Sequence, residues 1–251
     1  MWDPDQYLRY ADQRARPFLE LVARVPLDAP DTVVDLGCGP ATLTALLRER
    51  WPDARVTGVD SSPEMVARAR AEVPGLEVVE ADVTTWRPAE PVDLLLSNAT
   101  LQWVPGHLDL LPGLLEQVRP GGCLAFGVPG NFTEPSHTER LALASEPPYA
   151  EHTVGVPSPA AHDAATYLEV LAGLGCTVDA WETTYLHVLH GPDPVLDWIA
   201  GTSLSPTLQA LPGELREPFC DELRSRLTAA YPDRGNGVVL PFRRVFVIAR
   251  R

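Results

Sequence analysis

The chain has 251 residues, 45% hydrophobic and 22% charged, which fits a single large globular domain with room for a substantial core. Its formal net charge is -14 and all 20 basic residues are arginines, which argues against general binding to nucleic acid or to an anionic membrane. Cys38, Cys123, Cys176 and Cys220 form no Cys-x-x-Cys pair, the start Met1-Trp2-Asp3-Pro4-Asp5 is polar, and no apolar run is long enough to span a membrane. No metal site, no secretory leader and a reducing cytoplasm are therefore expected.

Residues 5–25 predict a helix, with Tyr7, Tyr10, Phe18, Leu19, Val22 and Val25 at roughly helical spacing and Pro17 inside. A strand, turn and helix pattern then repeats. Thr32 to Leu36 reads as a strand, and Gly37-Cys38-Gly39-Pro40 as a turn into a helix from about Ala41 to Arg50. Arg55 to Val59 reads as a second strand ending at Asp60. Ser61-Ser62-Pro63-Glu64 then opens a helix with a serine cap, proline in the first turn and an acid beside it. Leu76 to Glu80 and Val92 to Leu96 read as the third and fourth strands. A helix is expected from His107 to Val118, followed by a fifth strand, Cys123 to Val128. Residues 130–160, rich in Pro, Ser, Thr and His, read as a long functional loop. A helix from Ala164 to Leu174, a strand from Cys176 to Tyr185, mainly helical residues 191–237 and a last strand at 243–249 complete the pattern. Alternating strands and helices make this an α/β fold with a doubly wound, mostly parallel sheet.

In such a sheet, ligands bind beyond the carboxyl ends of the strands. Four successive ends carry polar residues: Asp35 to Gly39, Asp60, Asp82 and Asn98. Glycines let the backbone approach a ligand closely, and Asp60 stands about 20 residues on, where an acid accepts both hydroxyls of a ribose. NAD also needs donors for a pyrophosphate. Here Thr42 replaces the third glycine of G-x-G-x-x-G, and Pro40 removes an N–H. A cofactor without a pyrophosphate fits better, with Asp82 accepting from an adenine amino group. These features describe S-adenosylmethionine.

Asp35-Leu36-Gly37-Cys38-Gly39-Pro40, Gly58-Val59-Asp60-Ser61-Ser62, Glu80-Ala81-Asp82 and Ser97-Asn98-Ala99 resemble the successive motifs of class I S-adenosylmethionine-dependent methyltransferases. That resemblance implies a Rossmann-like, seven-stranded sheet whose last strand is antiparallel, with a helical insertion before it. It implies cofactor contacts from Asp35, Gly37, Cys38, Gly39, Asp60, Ser61, Asp82, Val83 and Asn98. A closer resemblance runs along the chain. Trp2-x-Pro4-x-x-Tyr7-Leu8, Arg16-Pro17, Ala23-Arg24-Val25-Pro26-Leu27, Leu101-Gln102-Trp103, Glu134-Pro135-x-His137, Thr183-Thr184-Tyr185 and Ala249-Arg250-Arg251 look like the trans-aconitate 2-methyltransferase family. It implies methylation of one carboxylate of the polycarboxylate trans-aconitate, giving a monomethyl ester. The family usually has glycine where this chain has Ala41, an alanine expected to fit a helix start.

On this resemblance, residues 1–251 form one methyltransferase domain: an N-terminal helical lid at 1–30, a cofactor core at 31–130, a substrate-side loop, strand and helical insertion at 131–240, and a final strand at 241–251. Substrate contacts are expected from Tyr7, Tyr10, Arg14, Trp103, His137, Tyr149 and Arg243, with Arg140 and Arg244 as further arginines and Tyr185 and Trp198 as further aromatics. A carboxylate is already ionised at neutral pH, so no catalytic base is named. Two alternatives stay open: a methyltransferase acting on another small acid, an amine or a phenol, and a methyltransferase-like binding module without catalysis.

Overall fold

The computed structural model describes residues 11–251, apart from the side chains of Ala11, Asp12 and Arg14. Helix α1 (Ala11–Arg24) carries Pro17 within it and buries Phe18, Leu21 and Val22, which its 3.6-residue period places on one face. The alternating part follows as β1 (Thr32–Leu36), α2 (Thr44–Arg50), β2 (Arg55–Asp60), α3 (Pro63–Glu72), β3 (Glu77–Glu80), β4 (Val92–Asn98), α4 (Leu111–Glu116) and β5 (Val118–Pro129). Ser62 caps α3, its hydroxyl accepting from the Met65 N–H at 3.3 Å, and Pro63 supplies the first turn with a φ already set.

The sheet runs β3-β2-β1-β4-β5-β7-β6, where β6 is Thr177–Leu189 and β7 is Val238–Arg250. Strands β1 to β5 pair in parallel and β7 pairs antiparallel to β5, from Cys123 opposite Arg250 to Pro129 opposite Arg244. The doubly wound, mostly parallel, seven-stranded reading therefore holds. Strands buried on both faces are apolar in continuous runs, as Leu94-Leu95-Leu96 and Cys123 to Val128 are. Strand order reverses between β1 and β4, so the carboxyl ends of these two strands face the same crevice.

Three expectations need correction. The helix expected from His107 to Val118 is a 3-10 turn, His107–Leu110, followed by the short α4; left-handed Gly106 precedes the turn, and Pro112 and Gly113 shorten the helix. The expected loop at 130–160 holds two helices, α5 (Pro135–Ala144) and α6 (Ala150–Thr153), and Pro135 begins the first where its missing N–H is harmless. Helix α2 begins at Thr44, not Ala41, which lies in the turn before it at φ 60.

The remaining helices are α7 (Ala164–Gly173), α8 (Pro194–Ala200), α9 (Ser205–Ala210) and α10 (Gly213–Ala230). Asp163 caps α7 by accepting from the Thr166 N–H at 2.8 Å.

The chain divides into two compact units. One comprises Ala15–Pro129, Ala161–Thr183 and Arg244–Arg251. Its core packs Leu36, Val59, Leu95, Leu124, Phe126 and Val247 of the sheet with Leu111, Leu114, Tyr167 and Leu171 of the helices. The other takes in Gly130–Ala160 and Thr184–Arg243. Its core is built from Phe219, Leu223 and Leu227 of α10, with Trp198 and Ile199 of α8 and Leu143 of α5. Among the described residues, no helix is long and apolar enough to cross a membrane, and no group of His, Cys, Asp or Glu could hold a metal ion.

Candidate active site

The turn after β1 is built from three left-handed residues, Gly37 (φ 76), Gly39 (φ 56) and Ala41 (φ 60). Glycine carries the first two without steric cost. At Gly37 the requirement is doubled, because a Cβ would collide with the Thr100 side chain, whose hydroxyl donates to the Gly37 carbonyl at 3.3 Å. The loop after β4 thus closes directly onto the glycine turn. At Gly39 a Cβ would meet nothing within 4 Å, so the turn is open at that residue. Ala41 is fully buried in a conformation that costs an L-residue about 1–2 kcal/mol.

Asp60 ends β2 and ties this turn to α3. Its Oδ2 accepts from the Gly39 N–H at 2.8 Å and its Oδ1 from the Ser62 N–H at 2.9 Å. Each oxygen keeps acceptor capacity for a further donor. The N–H groups of Gly37 and Cys38 both donate to the Val59 carbonyl, at 2.7 and 3.0 Å, fixing the turn to the end of β2.

Asp35 acts from beneath. It is buried, and its Oδ2 accepts from the Thr44 hydroxyl at 2.6 Å, which pins the start of α2. Burial pushes its carboxyl up to about 6, against the pull of the Thr44 hydrogen bond and with a further push from Asp60. The Cys38 thiol is turned toward Gly58, where a Cβ would lie 2.8 Å from Sγ, and burial together with Asp35 and Asp60 pushes it up. Cys38 therefore carries no reactive thiolate.

Asp82 is exposed beyond β3. Its Oδ1 accepts from the N–H and the hydroxyl of Thr84, at 2.8 and 2.6 Å, and these bonds hold its carboxyl below the usual range. Val83, next to it, is buried, and Ser61 is exposed. At the end of β4, Oδ1 of Asn98 is buried without a hydrogen-bond partner, beside left-handed Ala99 (φ 56). The orphaned Asn98 acceptor, the open backbone at Gly39 and the oriented Asp60 carboxylate suit a ligand rich in hydroxyl and amino donors, as S-adenosylmethionine is. The unit that holds β1 to β5 contains all nine residues expected to contact the cofactor, at the ends of β1 to β4.

The expected substrate residues divide. Tyr7 and Tyr10 lie outside the described residues, as does the Arg14 side chain. Trp103 belongs to the unit that holds β1 to β5, 39% exposed in the 3-10 turn Leu101–Trp103 just after β4. His137, Tyr149 and Arg243 belong to the other unit. His137 is buried on α5 with its ring against Phe132, centroids 5.0 Å apart. Burial, then nearby Arg140, pushes its pKa down to about 4, so it is neutral at neutral pH. Tyr149 is a core ring, packed edge-to-face on Phe219 at 4.9 Å. Arg243 is half-buried on β7, with its carbonyl accepting from the Gly130 N–H at 2.8 Å. Trp198 packs in the core against His187, as its position on an amphipathic helix implies. Buried Tyr185 stacks on His187 at 6.1 Å.

Sequence reasoning missed Thr44 and Thr100, the two hydroxyl residues that lock the turn from below and from the side. Thr44 follows the motif by a few residues at the first position of α2, and that position was its only signal.

The chain is similar to proteins of known type. The methyltransferase domain family matches residues 33–122. Over the full chain, it is 51% identical to trans-aconitate 2-methyltransferase of Streptomyces avermitilis, covering 97% of that protein. It is 46% identical to trans-aconitate 2-methyltransferase of Mycobacterium tuberculosis, with 99% of this chain and 96% of that protein covered. Among solved structures, an S-adenosylmethionine-dependent methyltransferase from Mesorhizobium loti aligns with a TM-score of 0.55 at 21% identity, covering 96% of this chain and 99% of that one. A plantazolicin methyltransferase in complex with SAH aligns with a TM-score of 0.52 at 15% identity, covering 99% and 91%. These two structural likenesses concern the fold.

Proposed function

We propose, for a chain that belongs to the trans-aconitate 2-methyltransferase family, that it transfers the methyl group of S-adenosylmethionine to one carboxylate of trans-aconitate. Within this reading residues 1–251 work as one methyltransferase domain. The observation that carries the reading is the turn of Gly37 to Ala41, open at Gly39 and held by the Asp60 carboxylate.

S-adenosylmethionine supplies an electrophilic sulfonium methyl, which a carboxylate oxygen takes as the carbon–sulfur bond breaks and a neutral thioether leaves. The remaining work falls to binding and orientation. Asp60 accepts the ribose hydroxyls on the lone pairs that Gly39 and Ser62 leave free. Asp82, steadied by Thr84, accepts the adenine amino group, with Val83 and Ser61 beside the nucleoside. The backbone of Gly37, Cys38 and Gly39 lines the amino-acid portion, and Asn98 accepts from it. Asp35 serves indirectly, by fixing Thr44 and so the start of α2. Trp103 covers the reacting end, where its indole excludes water.

No proton has to be removed from an acceptor that is already a carboxylate, so the reaction needs no general base. A neutral His137 agrees with this economy: it is available to hydrogen-bond the acid without adding charge. We place the protein in the cytoplasm, where its four free cysteines remain reduced.

The test is methyl transfer from labelled S-adenosylmethionine to trans-aconitate, with cis-aconitate, citrate and isocitrate in parallel. Base-labile label on trans-aconitate is the expected result. Label on an amine or phenol, with none on any acid, overturns the acceptor while leaving the methyltransferase.

A further inference from the structure

Arg140 is 2% exposed, among the most deeply buried large side chains of the protein. Its guanidinium carries five N–H donors and a permanent charge. Only two donors are engaged: Nη1 donates to the Thr207 hydroxyl at 2.8 Å and Nη2 to the Ser158 hydroxyl at 3.3 Å. The Nε–H is buried without a partner. Neither hydroxyl brings negative charge, and Arg140 makes no ion pair with a described carboxylate, although the chain has 34 acidic residues. A cation is rarely buried without a counter-charge, because lost hydration is not repaid by neutral partners alone.

The surroundings on α5 point the same way. Ser136 lies one helical turn before Arg140, so the two share a face. The Ser136 N–H donates to the Tyr231 hydroxyl at 3.0 Å, and the buried Ser136 hydroxyl faces the same phenol, so this face of the helix is held in place by Tyr231. His137, three residues before Arg140, is neutral at neutral pH and so does not compete for an anion. The unpaired Nε–H edge of the Arg140 guanidinium, braced by Thr207 and Ser158, is therefore anion-seeking.

We propose that Arg140 is the subsite that grips a carboxylate of the small-acid substrate. The assignment rests on the polycarboxylate reading above. The gripped carboxylate is one that is not methylated. A bidentate guanidinium neutralises the oxygens it holds and blunts them as nucleophiles, so the reacting carboxylate has to lie elsewhere. Arg140 is therefore a specificity residue: it selects acids that carry an additional carboxylate beyond the one that reacts.

The experiment compares wild type with Arg140→Met and Arg140→Lys, using trans-aconitate and a monocarboxylic enoic acid as acceptors. The expected result for Arg140→Met is a rise in KM for trans-aconitate of about 100-fold. Affinity for S-adenosylmethionine stays unchanged, and the preference for trans-aconitate over the monoacid collapses. Arg140→Lys, which keeps the charge and loses the fork, falls between. A preserved preference in a folded Arg140→Met protein overturns the proposal.

A second measurement uses the wild-type protein, in case the methionine variant fails to fold. With arginine side chains labelled by ¹⁵N and SAH bound, the Nε–H signal absent from Arg140→Lys is followed during addition of trans-aconitate. It shifts if the subsite is real; an unmoved signal at saturating acid overturns it. If wild type neither labels nor binds trans-aconitate, the acceptor reading has failed separately. The same signal titrated with citrate and succinate then decides Arg140: movement keeps the carboxylate subsite, and no movement removes it.

Discussion

The backbone N–H of Gly39 donates to Oδ2 of Asp60 at 2.8 Å, across the gap between the first two strand ends. With the Ser62 N–H on the other oxygen, one carboxylate holds both the glycine turn and the start of α3. Asp60 is therefore a structural tie, in addition to the ribose acceptor proposed above. Asp60→Ala removes both roles, and the loss of a charged acceptor is expected to weaken S-adenosylmethionine binding by about 1.5–3 kcal/mol. Asp60→Asn keeps the shape but turns an amide donor toward at least one of these N–H groups, so it too should bind poorly. Calorimetric titration checks both; unaltered affinity in either removes Asp60 from the cofactor site.

Ala41 offers a test of strain. Ala41→Gly releases a buried left-handed alanine but loosens the unfolded chain, and the two effects leave a net stabilisation of about 0–1 kcal/mol. Ala41→Val adds β-branching where none is tolerated and should destabilise by about 2 kcal/mol or more. Thermal unfolding of the two variants should move the midpoint in opposite directions or, for glycine, leave it in place.

Gly37 and Thr100 should behave as a coupled pair. Gly37→Ala drives a Cβ into the Thr100 side chain and also strains φ, at a combined cost of about 3 kcal/mol. Thr100→Gly removes the obstacle, so the double variant should regain part of that loss. A double-mutant cycle in denaturant reads the coupling, and strict additivity would mean that the two residues do not meet.

Two buried groups give stability opposite pH dependences. The folded-state pKa of Asp35 is raised, to about 6 from 3.8, so between these values the folded protein holds a proton that the unfolded chain has released. Its contribution is present below about pH 4 and is lost as pH rises through 6. The pKa of His137 is lowered, to about 4 from 6.5, so there the unfolded chain holds the extra proton. Its contribution is present above pH 6.5 and is lost as pH falls through 4. Relative to wild type, Asp35→Asn should gain stability from pH 4 to 7, by about 2 kcal/mol at the upper end. His137→Gln should gain as pH falls over the same range. Urea unfolding of the ligand-free variants between pH 4 and 7.5 separates the two slopes.

The cofactor half was legible because its signals are local. Ser62-Pro63-Glu64 states a helix start in three residues, and apolar runs such as Val92 to Leu96 state a strand buried on both faces. Residues 130–160 were harder to read because polar residues occupy the buried face of α5. On α5 the inward positions are Ser136, His137, Arg140, Leu143 and Ala144, so a helical period is present but does not appear in hydrophobicity. The stretch reads as a loop because polar side chains carry its helical period. Ala41 was misread by a different route: alanine favours helices, and here the constraints of the turn override that propensity.

Strand β7 comes last of the seven in sequence but lies between β5 and β6. During synthesis, β1 to β5 can pair as they appear, whereas the outer edge of β5 has to wait for residues 238–250. At about 5–20 residues per second, the intervening segment takes roughly 5–20 s to emerge. Throughout that interval the run Cys123 to Val128, apolar on both faces, presents an open edge to anything nearby. The nascent chain therefore carries an open apolar edge from about half its length until it is nearly complete, and that is the window a chaperone has to cover.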